Sequence, residues 1–203
     1  MSELYETLRD YTMVPERVFD ANIDLARWAH HVPGCVVECG VWRGGMIAGL
    51  AATLGFDRRY FLFDSFEGLP PARKIDGEAA LAYQRETSSA EYRDNCRAEM
   101  TYAMQAMRRI EGGAPSYRIV KGWFTPELLA IVDEPIALLR IDCDWYASVK
   151  LCLEVLWDKV AIGGIAIMDD YFAWEGCRKA VDDFFGNKVI LRPEESLCWA
   201  VRS

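Results

Sequence analysis

Histidine is nearly missing from this chain: its only two copies, His30 and His31, stand side by side. A histidine-based triad or zinc site is hard to build from that pair, and both read as residues at the end of an early helix. Paired-cysteine motifs are missing too. The seven cysteines, at 35, 39, 96, 143, 152, 177 and 198, contain no C-x-x-C. An odd, unpatterned set lying mostly in apolar segments points to reduced thiols in a cytoplasm. No apolar run approaches the roughly 20 residues that a bilayer requires. The opening MSELYETLRDYTMVPERVF mixes charges throughout and carries no signal-peptide core. A basic face is also lacking, and the net charge of −8 has the wrong sign for neutralising phosphates. Nucleic acid and membrane are therefore set aside as partners, and the expected location is cytoplasmic.

What remains is ordinary globular material. With 52% hydrophobic and 27% charged residues over 203 positions, the chain can bury a real core, and it is read as one domain over 1–203. Helices are expected over 2–10 and 15–31, ending at Pro33-Gly34. Cys35–Cys39 reads as a buried strand, 46–54 as a helix and Tyr60–Asp64 as a second strand. Residues 65–90, with Pro70-Pro71 and Gly77, suggest a long surface excursion and a candidate lid, followed by a helix at about 91–110. Further strands fall at 117–120, 136–141 and 165–168, with helices over 148–159 and 176–185. Two closing strand candidates, 189–191 and 197–201, are joined through Pro193. Alternating strands and helices require an α/β fold, a parallel sheet covered on both faces. The last connection is too short for a crossover, so the closing pair is expected to be antiparallel.

In such sheets ligands bind at the carboxyl ends of the strands, and the residues just after each strand here are unusually polar. After the first strand comes Glu38-Cys39-Gly40-Val41-Trp42-Arg43-Gly44-Gly45. Glycines there let the backbone turn and approach a ligand closely. The spacing is neither the G-x-G-x-x-G of dinucleotide binders nor a P-loop. Asp64 follows the second strand, where an acid can take both ribose hydroxyls or simply cap a turn. Asp142 and Asp144 follow the fourth strand, and Asp169 and Asp170 the fifth. If those strands are neighbours, about 4.8 Å apart, carboxylates at both tips reach one ion. All-oxygen ligands favour Mg²⁺, with Mn²⁺ or Ca²⁺ as alternatives; exposed acids at strand ends are the plainer reading.

Taken together these clusters resemble the macrocin O-methyltransferase family, metal-dependent sugar O-methyltransferases of macrolide and related antibiotic pathways. The matching segments are VVECGVWRGG at 36–45, FDSFEGLPP at 63–71, YRDNC at 92–96, VKGWF at 120–124, LLRIDCDWYAS at 138–148, GGIAIMDDY at 163–171 and GCRKAVDDFF at 176–185. The resemblance implies a class I methyltransferase sheet, Rossmann-like and mostly parallel with an antiparallel last strand. It implies S-adenosylmethionine as cofactor, with Glu38, Gly40, Trp42 and Gly44 around its methionine part. Asp64 would hold the ribose and Ser65 lie near the adenine end. Gly122 and Trp123 fall in a matching segment, and Thr12 and Met13 resemble one that closes over the cofactor. Asp142, Asp169 and Asp170 match the family's metal ligands. Cys143 stands where the family more often has Gly, and the chain looks shorter than usual at both ends, which help enclose the acceptor.

The expected reaction is transfer of a methyl group to a hydroxyl of a small molecule, a sugar or a diol- or catechol-like compound. Asp142 would hold the metal, and Asp144 is a candidate general base. Related catechol methyltransferases carry a lysine three residues after the first metal aspartate; here that position is Trp145. Trp123, Trp145, Tyr146 and Trp174 are candidates for an aromatic pocket or for plain core. Rival readings are a nicotinamide-dependent oxidoreductase, a glycosyltransferase using Asp142-Cys143-Asp144, and a non-catalytic nucleoside-binding protein. A homo-oligomer stays open.

Overall fold

The computed structural model of the chain describes residues 2–89, 92–110, 116–186, 192–194 and 197–203. Among them one sheet is built from β1 (Cys35–Cys39), β2 (Arg59–Asp64), β3 (Ser116–Lys121), β4 (Ile136–Ile141), β5 (Val160–Met168), β6 (Arg192–Glu194) and β7 (Leu197–Val201). The strand order is β3-β2-β1-β4-β5-β7-β6. The first five strands pair in parallel, and β7 runs antiparallel to both β5 and β6. The mostly parallel sheet with an antiparallel last strand is thus as expected.

Helices follow as α1 (Glu3–Leu8), α2 (Glu16–Ala26), α3 (Gly45–Leu54), α4 (Glu78–Arg85), α5 (Arg93–Cys96), α6 (Met100–Arg109), α7 (Pro126–Leu129), α8 (Tyr146–Leu156) and α9 (Glu175–Phe185). The strands alternate their side chains between two separate cores. Val36, Tyr60, Leu62, Leu138 and Ile167 face α1, α2, α3 and α6. Val37, Phe61, Phe63, Leu139, Ile141 and Met168 face α7, α8 and α9. No helix among the described residues is long and apolar enough to cross a membrane. All seven cysteines are free thiols, and all but Cys96 are buried.

Several expected boundaries move. The helix read over 15–31 ends at Ala26 and continues as a tighter 3₁₀ turn, Arg27–His31. The helix read from 148 begins at Tyr146. The strand candidate 189–191 lies outside the described residues. Pro193 sits inside β6 rather than in the connection. That is permitted because β6 is the outermost strand, where a missing N–H breaks no ladder on the open side. The helix expected over 91–110 divides into α5 and α6. In α5 the four residues Arg93, Asp94, Asn95 and Cys96 all have positive φ, between 44° and 61°, so this turn is left-handed. The segment read as a structureless excursion is folded: it holds a 3₁₀ turn at Lys74–Asp76 and α4.

One glycine at the rim has no alternative. Gly40 has φ +88°, and a Cβ built there would lie 1.6 Å from the Asp142 carbonyl oxygen. The chain leaving β1 therefore passes against the chain leaving β4 with no room for a side chain. Gly163 shares the positive φ, at +81°, but its nearest neighbour would be 3.9 Å away. Gly163→Ala should cost about 1–2 kcal/mol of stability from the left-handed backbone alone. Gly40→Ala should cost roughly 1–3 kcal/mol beyond that, because backbone must shift. Urea unfolding of both variants checks the order; equal losses would contradict it.

Candidate active site

Four of the five parallel strands, β3, β1, β4 and β5, are each followed by one more ladder hydrogen bond. Gly122 N–H bonds to Asp64 O at 2.9 Å, Gly40 N–H to Phe63 O at 2.8 Å, Asp142 N–H to Cys39 O at 2.8 Å and Asp169 N–H to Ile141 O at 3.0 Å. The parallel register thereby sets Gly122, Gly40, Asp142 and Asp169 in one row along the carboxyl rim. The row borders a cavity of about 640 Å³, a volume suited to a cofactor-sized ligand. Thr12, Met13, Glu38, Gly40, Trp42, Asp64, Ser65, Gly122, Trp123, Asp142, Asp144, Asp169 and Asp170 all line it. Gly44 does not. Its φ of +83° starts α3, and a Cβ there would fall 2.8 Å from the Ala103 Cα of α6, so helix packing explains that glycine.

On the glycine side Asp64 organises the turn. Its Oδ2 accepts the Val41 and Trp42 N–H groups at 2.7 and 2.8 Å, and its Oδ1 accepts that of Phe66 at 2.6 Å. Burial raises its pKa, and the three N–H bonds pull it back down. A carboxylate offers about four lone-pair sites, so the capping role leaves room for one further donor. Ser65 spends its hydroxyl locally, donating to Gly68 O at 3.0 Å and accepting from Glu67 N–H at 3.1 Å. Thr12 accepts from Val14 N–H at 3.1 Å. Two buried polar atoms here lack any partner, Glu38 Oε2 and Trp42 Nε1. Burial pushes the Glu38 carboxyl up to about 8, against the pull of Arg140. Polar atoms left bare in an interior cost about 1–3 kcal/mol each and mark where a polar ligand would be welcome.

On the acidic side, Asp142, Asp169 and Asp170 each bring one carboxylate oxygen within 4.8 Å of the others. Burial raises the pKa of Asp169 and Asp170, with neighbouring carboxylates adding to it. Asp144 sits beside them in a left-handed backbone conformation, φ +58°, the kind of strain that collects at functional sites. Its N–H reaches Asp170 Oδ2 at 3.3 Å. Burial and then the Asp142 charge push the Asp144 carboxyl up to about 8, while a hydrogen bond from Trp174 lowers it. The aromatic candidates divide. Trp123, 46% exposed, lines the cavity, whereas Trp145 is 1% exposed and packs edge-on against Trp174 at 5.1 Å. Tyr146 points its hydroxyl to Asp183.

Sequence reasoning did not assign Arg140, Asn22 or Asp76. Arg140 is fully buried and meets Glu38, Asp142 and Asp169 at 2.7, 2.7 and 2.8 Å. A single charge inside an otherwise apolar strand was the available signal. Asn22, in α2, donates to Asp169 Oδ1 at 3.0 Å. Asp76 docks the folded segment 66–89 against the site. Its Oδ1 accepts Tyr146 N–H at 2.8 Å, capping α8, and its Oδ2 accepts Arg73 N–H at 2.7 Å. The Trp145 indole adds a bond to Pro70 O at 2.9 Å. Asp76→Ala should cost about 0.5–2 kcal/mol, as loss of a helix cap does, and should expose 66–89 to limited proteolysis. Unchanged proteolysis would show that the segment is held by other contacts.

The geometry meets its parallel in known proteins. The model of the macrocin-O-methyltransferase (TylF) family matches residues 8–201. The chain is 35% identical over 169 residues to 8-demethyl-8-(2,3-dimethoxy-alpha-L-rhamnosyl)-tetracenomycin-C 4'-O-methyltransferase of Streptomyces olivaceus, covering 81% of this chain and 63% of that protein. It is 31% identical to demethyldecarbamoylnovobiocin O-methyltransferase of Streptomyces niveus, over 76% of this chain and 59% of the relative. The chain thus spans about six-tenths of the length of these curated relatives. Among solved structures, the O-methyltransferase NovP superposes with a TM-score of 0.74 at 27% identity, over 95% of this chain and 82% of NovP. The calicheamicin methyltransferase CalS11, at 20% identity and a TM-score of 0.71 over 98% of this chain and 89% of its own, shares the fold. By the family match and these identities, the chain belongs to the macrocin-O-methyltransferase family.

Proposed function

We propose that the protein, read as one domain over its 203 residues, transfers a methyl group from S-adenosylmethionine to a hydroxyl of a small molecule, assisted by a divalent metal. One observation carries this reading: a glycine turn with unpartnered buried polar atoms and a three-aspartate cluster border the same cavity. The S-adenosylmethionine sulfonium supplies an already activated methyl group. Glu38 Oε2 suits the cofactor's ammonium, whose charge would keep that carboxyl ionised despite its burial. The remaining acceptor site on Asp64 suits a ribose hydroxyl. Trp42, Ser65, Gly122 and Trp123 complete the walls, and Thr12 and Met13 close them from the N-terminal side.

Asp142, Asp169 and Asp170 form an all-oxygen donor set that fits Mg²⁺, or Mn²⁺ or Ca²⁺. An ion there would lower the pKa of an acceptor hydroxyl and orient it. Asp144, whose carboxyl is pushed up to about 8 and is hydrogen-bonded by the Trp174 indole, would take the hydroxyl proton at a carboxylate oxygen. Holding acceptor and methyl donor in line supplies much of the rest. Sugar or diol-like natural products are the acceptors this reading favours, following the names of the relatives.

Three outcomes follow. Asp142→Ala should abolish EDTA-sensitive turnover while leaving S-adenosylmethionine binding largely intact; full activity would remove Asp142 from metal binding. Asp64→Ala should weaken cofactor binding measured by calorimetry by about tenfold or more, the loss of a hydrogen bond to a charged group. Asp144→Asn should lower kcat by about 10²–10⁴ with KM little changed, and an unaltered kcat excludes it as base. Tight cofactor binding without turnover across a panel of sugars, diols and catechols would instead favour a non-catalytic nucleoside-binding protein.

A further inference from the structure

Arg140 is the only Lys or Arg in the buried set among the described residues, and every nitrogen of its guanidinium faces a polar atom. The register that pairs Glu38 with Arg140 across β1 and β4 puts the two side chains on the same face of the sheet, the face covered by α2. Nη1 donates both to Glu38 Oε1 and to Asp142 Oδ2, each at 2.7 Å. Nη2 lies 2.8 Å from Asp169 Oδ1. Nε donates to Asn22 Oδ1 at 3.0 Å, and Asn22 Nδ2 returns a bond to Asp169 Oδ1 at 3.0 Å. The planar fork thus hydrogen-bonds one oxygen of Glu38 and one of Asp142, while Nη2 is ion-paired with one oxygen of Asp169 at a distance that suits a hydrogen bond but an angle that does not. In each carboxylate the second oxygen is left for something else: Glu38 Oε2 is buried and unpartnered beside the cavity, and Asp142 and Asp169 belong to the three-aspartate cluster.

We propose that Arg140 is a positioning residue for two sites at once, fixing the rotamers of the cofactor-facing Glu38 and of the metal-facing Asp142 and Asp169. The inference rests on the functional reading above and adds a residue that the reading does not itself require. Its physical basis is the rigidity of the fork. A guanidinium holds several acceptors in one plane, whereas an ammonium is a point charge on a flexible stem. Charge alone would offset part of the cluster's repulsion; only the fork also aims it. Partners that orient metal ligands are typically worth about 10–100-fold in metal affinity.

The test uses the full chain, with Mn²⁺ and S-adenosylhomocysteine as probes in separate calorimetric titrations and the electron paramagnetic resonance spectrum of bound Mn²⁺ as a second readout. Arg140→Lys keeps the positive charge and removes the fork. It should weaken Mn²⁺ binding by about 10–100-fold, weaken S-adenosylhomocysteine binding several-fold, and alter the Mn²⁺ spectrum. Asn22→Ala removes one acceptor from Arg140 and one donor from Asp169, but no contact of Glu38 and neither Nη bond of the fork. It should weaken Mn²⁺ several-fold and leave S-adenosylhomocysteine affinity where it was, a split that general loosening of the fold would not produce. Arg140→Lys protein that melts like wild type and binds both probes with wild-type affinity overturns the proposal. Should Arg140→Lys not fold, Asn22→Ala decides, and wild-type Mn²⁺ affinity in that variant overturns it. Wild-type protein that takes up neither probe overturns the functional reading, and this inference with it, an outcome distinct from wild-type binding that the variants leave unmoved.

Discussion

A guanidinium buried among carboxylates is the constraint around which this rim is arranged. Arg140 stands in the middle of the sheet with no exposure to solvent, and Glu38, Asp142 and Asp169 surround it. An isolated charge in such a place would be costly, and removing one partner from a buried pair typically costs about 3–5 kcal/mol. The surplus of acid over base around it is the more informative feature. Asp144 and Asp170 join the same cluster, and burial with mutual repulsion raises both toward the neutral form. A set of acids that one cation does not balance is unusual in a structure serving stability alone. It is the arrangement expected where further positive charge is to be received.

The sheet makes this possible without any special loop architecture. Parallel strands ending at one level, four of them extended by one further ladder bond, bring residues from four distant segments into a row. Gly40 lets the chain after β1 pass against the chain after β4, and Asp64 ties that turn back to β2 through its N–H bonds. Beyond the rim, segment 66–89 is folded back and fastened at Asp76, Pro70 and Trp145. The left-handed turn at Arg93–Cys96 supports it from outside. Asn95 donates to Leu69 O at 2.8 Å, and Leu69 N–H returns to Asn95 O at 2.9 Å. Left-handed backbone at non-glycine residues costs about 1–2 kcal/mol each, so these contacts must hold the turn in place. The methyl-transfer reading needs such a fixed wall to keep acceptor and donor aligned.

The rim was legible in the sequence because its grammar is local. Five short strands, four of them largely apolar, each followed by Gly, Asp or a polar turn announce a parallel sheet and the end at which ligands collect, and thirteen assigned residues, Asp142 among them, line the cavity found there. What escaped depends on contacts between distant segments. The role of Arg140 becomes visible only once β1 and β4 are placed in register, because Glu38 and Arg140 are 102 residues apart. Asn22 reads as an ordinary helix residue until α2 is laid over Asp169. The left-handed turn has no glycine to announce it, and YRDNC scans as helix. Segment 66–89 reads as unstructured because, apart from α4, its order comes from single side-chain bonds: Asp76 to the distant Tyr146 N–H, and Gln84 to Ala72 N–H and Pro70 O within the segment. Gly44 shows the converse: a glycine in the right motif, required by its contact with α6.

In the proposed reading one cavity receives an adenosyl ligand and a divalent ion side by side. A crystal structure of the protein grown with S-adenosylhomocysteine and Mn²⁺, with anomalous scattering used to locate the metal, tests it most directly. The anomalous peak should fall within coordination distance of Asp142, Asp169 and Asp170, and nucleoside density should run from Asp64 toward Glu38. A metal peak elsewhere, or nucleoside density on the opposite rim of the sheet, would contradict it.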